Sequence, residues 1–199
     1  MAAASLRLAN PGDAAAVAAI YAPVVRTTAI SFETEPPSVD EMAARIDRTR
    51  TRWPWLVCDR GGEVLGYAYA SRHSERAAYQ WSVDVSVYVD ARAHRSGIGR
   101  ALYTSLLRLL VVQGFYNAYA GITLPNAASV GLHETIGFVP VGVYRHVGFK
   151  LGAWHDVGWW SLGLQPTTGH PPSPVDLPVV AGRPEVETAL RLGLPHLRL

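Results

Sequence analysis

One corner constrains this chain more than any other: "VDARAHRSGIGRALYTSLLRLL", residues 89 to 110, where a strand-like run meets a loop rich in Arg, His and Gly and a long amphipathic pattern begins at once. In the preceding "WSVDVSVYV", Val83, Val85, Val87 and Val89 share one strand face while Asp84, Ser86 and Tyr88 share the other. From Gly97 to Gln113, the residues Ile98, Leu102, Leu106, Leu109 and Leu110 recur at helical spacing. The first amides of a helix have no partner within it and lie at the positive end of its dipole. Gly97 and Gly99 let the backbone approach a ligand closely, and Arg92, Arg95 and Arg100 stand near enough to add charge. "HRSGIGR" therefore reads as a nest for phosphate, with a solvated Gly-rich turn as the bland alternative. A Walker loop would need Gly-Lys-Ser/Thr, and a dinucleotide fingerprint would need GxGxxG after a parallel strand; the stretch has neither.

Around this corner the pattern implies an α+β domain. Residues Ser5 to Ala9 alternate as a short strand, and Asn10 or Asp13 caps a helix carrying Val17, Ile20 and Tyr21. "SVDE" (Ser38 to Glu41) is a capping box, its helix running to about Thr51. Two apolar runs around Gly61-Gly62 form a hairpin, and "AYQWSVDVSVYV" is a third strand in series. "AYAGITL" is a strand, "PNAASVGLHETIGF" a helix ended by Gly137, and "VPVGVYRHV" and "WHDVGWWSLGL" two further strands. The domain spans 1–165. From Pro166 onward, seven of the 14 prolines fall in the segment 166–199, which reads as an extended tail with a short helix at "PEVETALRLG".

Composition excludes several classes. The 199 residues are 49% hydrophobic and 17% charged, with a net charge of +2, so there is no electrostatic case for nucleic acid or an acidic membrane. The alanine-rich start lacks a basic leader, and no stretch approaches the ~20 apolar residues of a membrane span. The single Cys58 lies in an apolar run and cannot form an internal disulfide, which fits a reducing cytoplasm. No metal site is read.

The corner and the segments "SFETEPP", "WPWLV", "AYQWSVDVSVYV", "ITLPNAASVGLHETIGF" and "VGFKLGAWHDVGWW" resemble the GNAT superfamily of N-acyltransferases, in its phosphinothricin N-acetyltransferase-like branch. The resemblance runs from about residue 5 to 165. It implies a mixed, mostly antiparallel sheet splayed at the cofactor site and flanked by helices. It also implies acetyl-CoA as co-substrate, a small amine as acceptor and a homodimer. The pyrophosphate loop of such enzymes corresponds to "HRSGIG", with His94 where Arg or Gln is usual, which makes Arg95, Ser96, Gly97, Ile98, Gly99 and Arg100 cofactor contacts. Backbone groups of Val87, Tyr88 and Val89 would pair with the pantetheine arm as an added strand. Asn126 would bond its amides, and Ser129 would support Asn126.

An amine attacks a thioester only when unprotonated. Asp84, where similar enzymes carry a Glu, is implied as the general base, its shorter arm favouring a relay water. The bland alternative is a strand-edge Asp satisfied locally. His133 stands where most GNAT enzymes have a Tyr, suited to protonating the departing thiolate; otherwise it is a helix histidine bonded to the sheet. Phe32, Arg76, Tyr79 and Tyr88 are implied to line the acceptor pocket, with Arg76 gripping a carboxylate through two parallel bonds. Ser74 replaces a Lys of the phosphinothricin enzymes, leaving one less positive charge for a doubly anionic substrate. Lys150 and Trp154 would close the pocket, from a second subunit, or simply pack a hairpin turn. A non-catalytic acyl-CoA sensor is the competing class, and a site without a proton acceptor would mark it.

Overall fold

The computed structural model describes residues 3–199. Seven strands form one sheet in the order β1-β2-β3-β4-β5-β7-β6: β1 Ala4–Leu8, β2 Trp55–Arg60, β3 Glu63–Arg72, β4 Ser82–Val89, β5 Asn117–Leu124, β6 Val139–Lys150 and β7 Ala153–Gly163. Every neighbouring pair is antiparallel except β4 and β5, which run parallel. The architecture is the mixed α+β fold expected. Gly61 and Gly62 both take positive φ (63° and 91°) in the two-residue turn joining β2 to β3, a conformation a Cβ would strain.

Helices cover both faces. α1 (Ala14–Thr27) and α2 (Val39–Arg50) bury Val17, Ile20, Tyr21, Met42 and Ile46 against one face. α3 (Ile98–Gln113) buries Ile98, Leu102, Leu106, Leu109 and Leu110 against the other, with α4 (Ala127–Ile136) beside it. The alternation of β4 decides which layer each residue serves. Val83 and Val85 join the α3 core, while Tyr88 packs against the α1–α2 core.

One local expectation changed. At "SVDE" only half a capping box forms: the Ser38 hydroxyl accepts from the Glu41 amide at 3.1 Å, but the Glu41 carboxylate turns to Arg45 at 2.6 Å. A charge-assisted pair one helical turn away outcompetes the backbone amide. The reciprocal arrangement stands instead at Asn10 and Asp13, where each side chain accepts from a nearby amide at 2.9 and 2.8 Å.

The segment after β7 lies docked on the domain. Two further helices, α5 (Leu177–Val180) and α6 (Pro184–Leu192), bury Leu177, Val180, Val186 and Ala189 in the α3-side core. Ser105 of α3 donates to the Leu190 carbonyl and accepts from the Gly193 amide. No helix among the described residues is long and apolar enough to cross a membrane.

Candidate active site

The site begins where a sheet stops being a sheet. β4 and β5 pair only at Ser82–Asn117, Val83–Ala118 and Asp84–Tyr119. Beyond that point β4 stays bonded to β3, and β5 to β7, so the two parallel strands diverge. The wedge between them is lined by Val85, Ser86, Val87 and Tyr88 on one side and Ala120, Gly121, Ile122 and Thr123 on the other. Backbone groups on those facing edges have lost their ladder partners, and an extended ligand with amides of its own can supply them.

At the wide end β4 runs into the nest. Arg95 and Gly97 both take left-handed φ, 64° and 80°, and α3 starts at Ile98. A non-glycine residue with positive φ is uncommon, and alternating hands in successive residues turn neighbouring amides toward one point. Arg92 is tied to Asp90 and Glu63, so its charge is neutralised away from the loop. Arg95 and Arg100 make no ion pair among the described residues, leaving their guanidinium groups available. His94 folds back so that its ring meets the Val89 carbonyl at 3.2 Å. Gly99 is held for packing: a Cβ there would lie 3.1 Å from Leu132 of α4.

α4 brings Asn126, Ser129 and His133 to the wedge. The Asn126 side-chain oxygen caps the helix by accepting from the Ser129 amide, so what it offers a ligand is its NH2. His133 is buried, and its two ring nitrogens are both engaged. Nδ1 lies 2.7 Å from the Ser129 carbonyl and Nε2 3.0 Å from the Tyr103 hydroxyl. A carbonyl accepts only, so Nδ1 carries the proton and Nε2 accepts from Tyr103. Burial pushes the His133 pKa down and the Tyr103 pKa well up, so both stay neutral. Tyr103 lines the wedge too, and the sequence reading passed over it among the apolar residues of α3.

At the narrow end stands Asp84, on the last paired rung. Burial raises its pKa, opposed by a 2.7 Å contact with His73 Nδ1. His73 was also missed. It stacks on Tyr119 with ring centroids 4.4 Å apart and meets Tyr79 and Trp159 edge-on. Only strand register could have found it: Ser71 opposes Asp84, so a side chain two residues further on the same face is Asp84's diagonal neighbour.

The residues expected around an acceptor fall into two hollows. Phe32 joins Ile30, Gly121 and Trp159 in one, on the face that carries Asp84. Tyr88 packs edge-on to Tyr21 at the wedge wall. Arg76 is exposed and lines the other hollow with Arg52, Arg72, Ser74 and Tyr79, on the β3–β4 connection. Tyr79 links that hollow to His73. Lys150 is buried and donates to the Val25 and Ser31 carbonyls at 2.7 and 2.6 Å, pinning the end of α1, and Trp154 is exposed.

Comparison with known proteins agrees with this fold. An acetyltransferase (GNAT) domain model matches residues 6–159. A phosphinothricin N-acetyltransferase of Streptomyces viridochromogenes is 42% identical over 85% of this chain and 92% of its own length. An L-methionine sulfoximine/L-methionine sulfone acetyltransferase of Pseudomonas aeruginosa is 37% identical over 84% of this chain and 99% of its own. Among solved structures, a GNAT superfamily phosphinothricin acetyltransferase from Sinorhizobium meliloti in complex with AcCoA superposes with a TM-score of 0.78 at 34% identity, covering 83% of this chain and 94% of that one.

Proposed function

This chain belongs to the GNAT acetyltransferase family, and we propose that it transfers the acetyl group of acetyl-CoA to the α-amino group of a small amino-acid analogue of the phosphinothricin or methionine sulfoximine type. The observation that carries the reading is the divergence of β4 from β5 at Asp84, with an amide nest at one end of the wedge and a carboxylate at the other. The loop amides from Ser96 to Arg100, with Arg95 and Arg100, hold the diphosphate. Backbone groups of Val87, Tyr88 and Val89 and the Asn126 NH2 bond the pantetheine amides, and a freed β4 amide polarises the thioester carbonyl.

Removal of the amine proton depends on Asp84, the carboxylate nearest the narrow end. Protonation of the departing sulfur falls to Tyr103 and His133. The Tyr103 hydroxyl, which rests donating to His133 Nε2, turns from that nitrogen to the departing sulfur and gives it the proton, His133 holding the hydroxyl at the wedge until then. Arg76, with Tyr79, holds the substrate carboxylate in the hollow on the β3–β4 connection, and Phe32 in the other hollow and Tyr88 at the wedge wall bound the rest of the acceptor. With Ser74 beside Arg76, the pocket favours a singly charged acceptor such as methionine sulfone over doubly anionic phosphinothricin.

Two features of setting belong to the same proposal. The protein works in the cytoplasm, where the free, buried Cys58, its pKa pushed up to about 11 by burial, stays reduced. It works as a homodimer through the edge strand β6. Segment 166–199 forms a C-terminal appendage that supports the loop of the 1–165 catalytic domain.

Thiol release from acetyl-CoA across a panel of methionine sulfone, methionine sulfoximine, phosphinothricin and ordinary amino acids tests the reading. Amine-dependent release is expected, with methionine sulfone giving a higher kcat/KM than phosphinothricin. Asp84→Asn should keep acetyl-CoA affinity and lower kcat by about 10²–10⁴-fold, the usual worth of acid–base assistance. Tight acetyl-CoA binding with no amine-dependent release would make the protein a sensor.

A further inference from the structure

We propose that the atom which takes the amine proton is His73 Nε2, with Asp84 acting on it as the orienting carboxylate of a His–Asp pair. The inference rests on the acetyl transfer proposed above and moves the accepting atom from the carboxylate to the ring.

Geometry supports it first. The Asp84 carboxylate is engaged by His73 Nδ1 at 2.7 Å. The ionised carboxylate only accepts, so Nδ1 carries the proton and the lone pair is on Nε2. Nε2 makes no hydrogen bond among the described residues, and the His73 side chain keeps 23% of its surface open. The ring is fixed on three sides, by Tyr119 stacked on it and by the edges of Tyr79 and Trp159. A ring clamped by a carboxylate on one nitrogen and left bare on the other is the arrangement by which a carboxylate fixes an imidazole's tautomer in hydrolytic triads. Its place also fits. Tyr119 and Asp84 form the last rung before the strands part, and Trp159 lines the hollow shared with Phe32.

Basicity points the same way. An α-ammonium group ionises near pH ~8, an ordinary aspartate near ~3.9 and an imidazole near ~6.5. A carboxylate taking that proton works against about four pH units, an imidazole against about one and a half. Burial of Asp84 narrows the first gap, and the contact with His73 opposes that rise. The groups facing the ring are Asp84 from β4, Tyr79 from the β3–β4 connection, and Tyr119 and Trp159 from β5 and β7, so Asp84 supplies the only formal charge among them.

The ammonium R–NH3+ gives one proton to Nε2, forming an imidazolium paired with the Asp84 carboxylate. The freed amine attacks the acetyl carbon; the C–N bond forms and the C–S bond breaks. A second proton leaves the nitrogen as the amide forms, and the sulfur departs as the thiol after taking one from the Tyr103 hydroxyl. The nitrogen's second proton returns through solvent to Tyr103, and the imidazolium releases its own to solvent.

His73→Gln and His73→Gly are the decisive variants, compared with wild type for kcat and for KM of each substrate. Loss of at least about 100-fold in kcat is expected for both, with acetyl-CoA KM within about twofold. Added imidazole should restore turnover to His73→Gly in a saturable manner, which a merely packing role would not allow. The double variant with Asp84→Asn should be no slower than the worse single one, because the pair acts as a unit. A His73→Gln enzyme within threefold of wild-type kcat, or a His73→Gly enzyme that imidazole leaves unchanged, overturns the pair while leaving the acetyl transfer intact. A wild-type protein that acetylates none of the panel overturns the reaction itself, and the pair with it.

Discussion

His133 shows how a single buried ring sets a pH limit on the fold. Its folded pKa lies below the unfolded value near ~6.5, because burial penalises the charged ring. Between those two values the unfolded chain binds the extra proton and the folded chain does not, so stability rises with pH across that window. The contribution is whole above about pH 6.5 and is lost as pH falls toward the folded value. Melting temperature measured from pH 5 to 8 should therefore drop on the acid side, and His133→Gln should drop less steeply though starting lower. Equal slopes would mean that another group titrates. Asp84 has the opposite sign: its raised pKa makes the ionised form a cost to folding at neutral pH. Asp84→Asn should then keep or raise the melting temperature while removing activity, the usual exchange of stability for function.

At the scale of elements, the join of β4 to α3 was legible because two periodicities meet there, two residues on the strand and 3.6 on the helix. Val83 to Val89 and Ile98 to Leu110 left little choice of faces, and the Gly-rich turn marked the nest. The parting of β4 from β5 was implied by the family resemblance alone and not by any pattern in the residues. "AYAGITL" reads as any buried strand, and only the end of its pairing with β4 at Tyr119, while its pairing with β7 runs on to Leu124, shows the divergence. His73 and Tyr103 were hidden for related reasons, one needing register and the other looking like core. The role of the last residues was hidden too, since prolines suggested an extended tail and Ser105 and Gln113 lie outside the apolar stripe of α3. Both are docking points: the Gln113 side chain donates to the Arg52 and Val175 carbonyls. The two elements meet at Gly97. Its left-handed φ of 80° disfavours any side chain, and a Cβ there would come 1.9 Å from the His196 carbonyl oxygen. The Arg198 amide meanwhile donates to the Ser96 carbonyl at 2.8 Å. Gly97→Ala must therefore shift the loop or the tail, at a cost of about 1–3 kcal/mol for the backbone alone. The expected outcome is a lower melting temperature and acetyl-CoA binding weakened about tenfold or more by calorimetry; unchanged binding would show that the nest does not hold the cofactor.

The molecule as a whole leaves one long edge bare. β6 is the last strand of the sheet, and Val139, Val141, Val143, Tyr144, Val147 and Phe149 along it are exposed, Val141 and Phe149 each by 61%. Natural edge strands are blunted by charge, proline or brevity; β6 carries Pro140 and two breaks of register, yet twelve residues with this apolar content still invite pairing. Arg145 answers to Asp156 of the neighbouring strand, and Lys150 is buried, so neither repels an approaching edge. In the homodimer proposed above, a second copy would present the same strip about a twofold axis, closing the edge without leading to open polymer. The edge is also tied to the acceptor face, because the Phe32 ring lies directly on Gly148 of β6, where a Cβ would be 2.2 Å from it. Sedimentation equilibrium should give twice the 21.6 kDa of one chain at micromolar concentration. Val141→Lys with Val143→Lys should yield a folded monomer whose KM rises for the amine more than for acetyl-CoA, since the nest lies on β4 and α3, several strands away. A wild-type monomer, or a monomeric variant with both KM values unchanged, would separate the edge strand from the function.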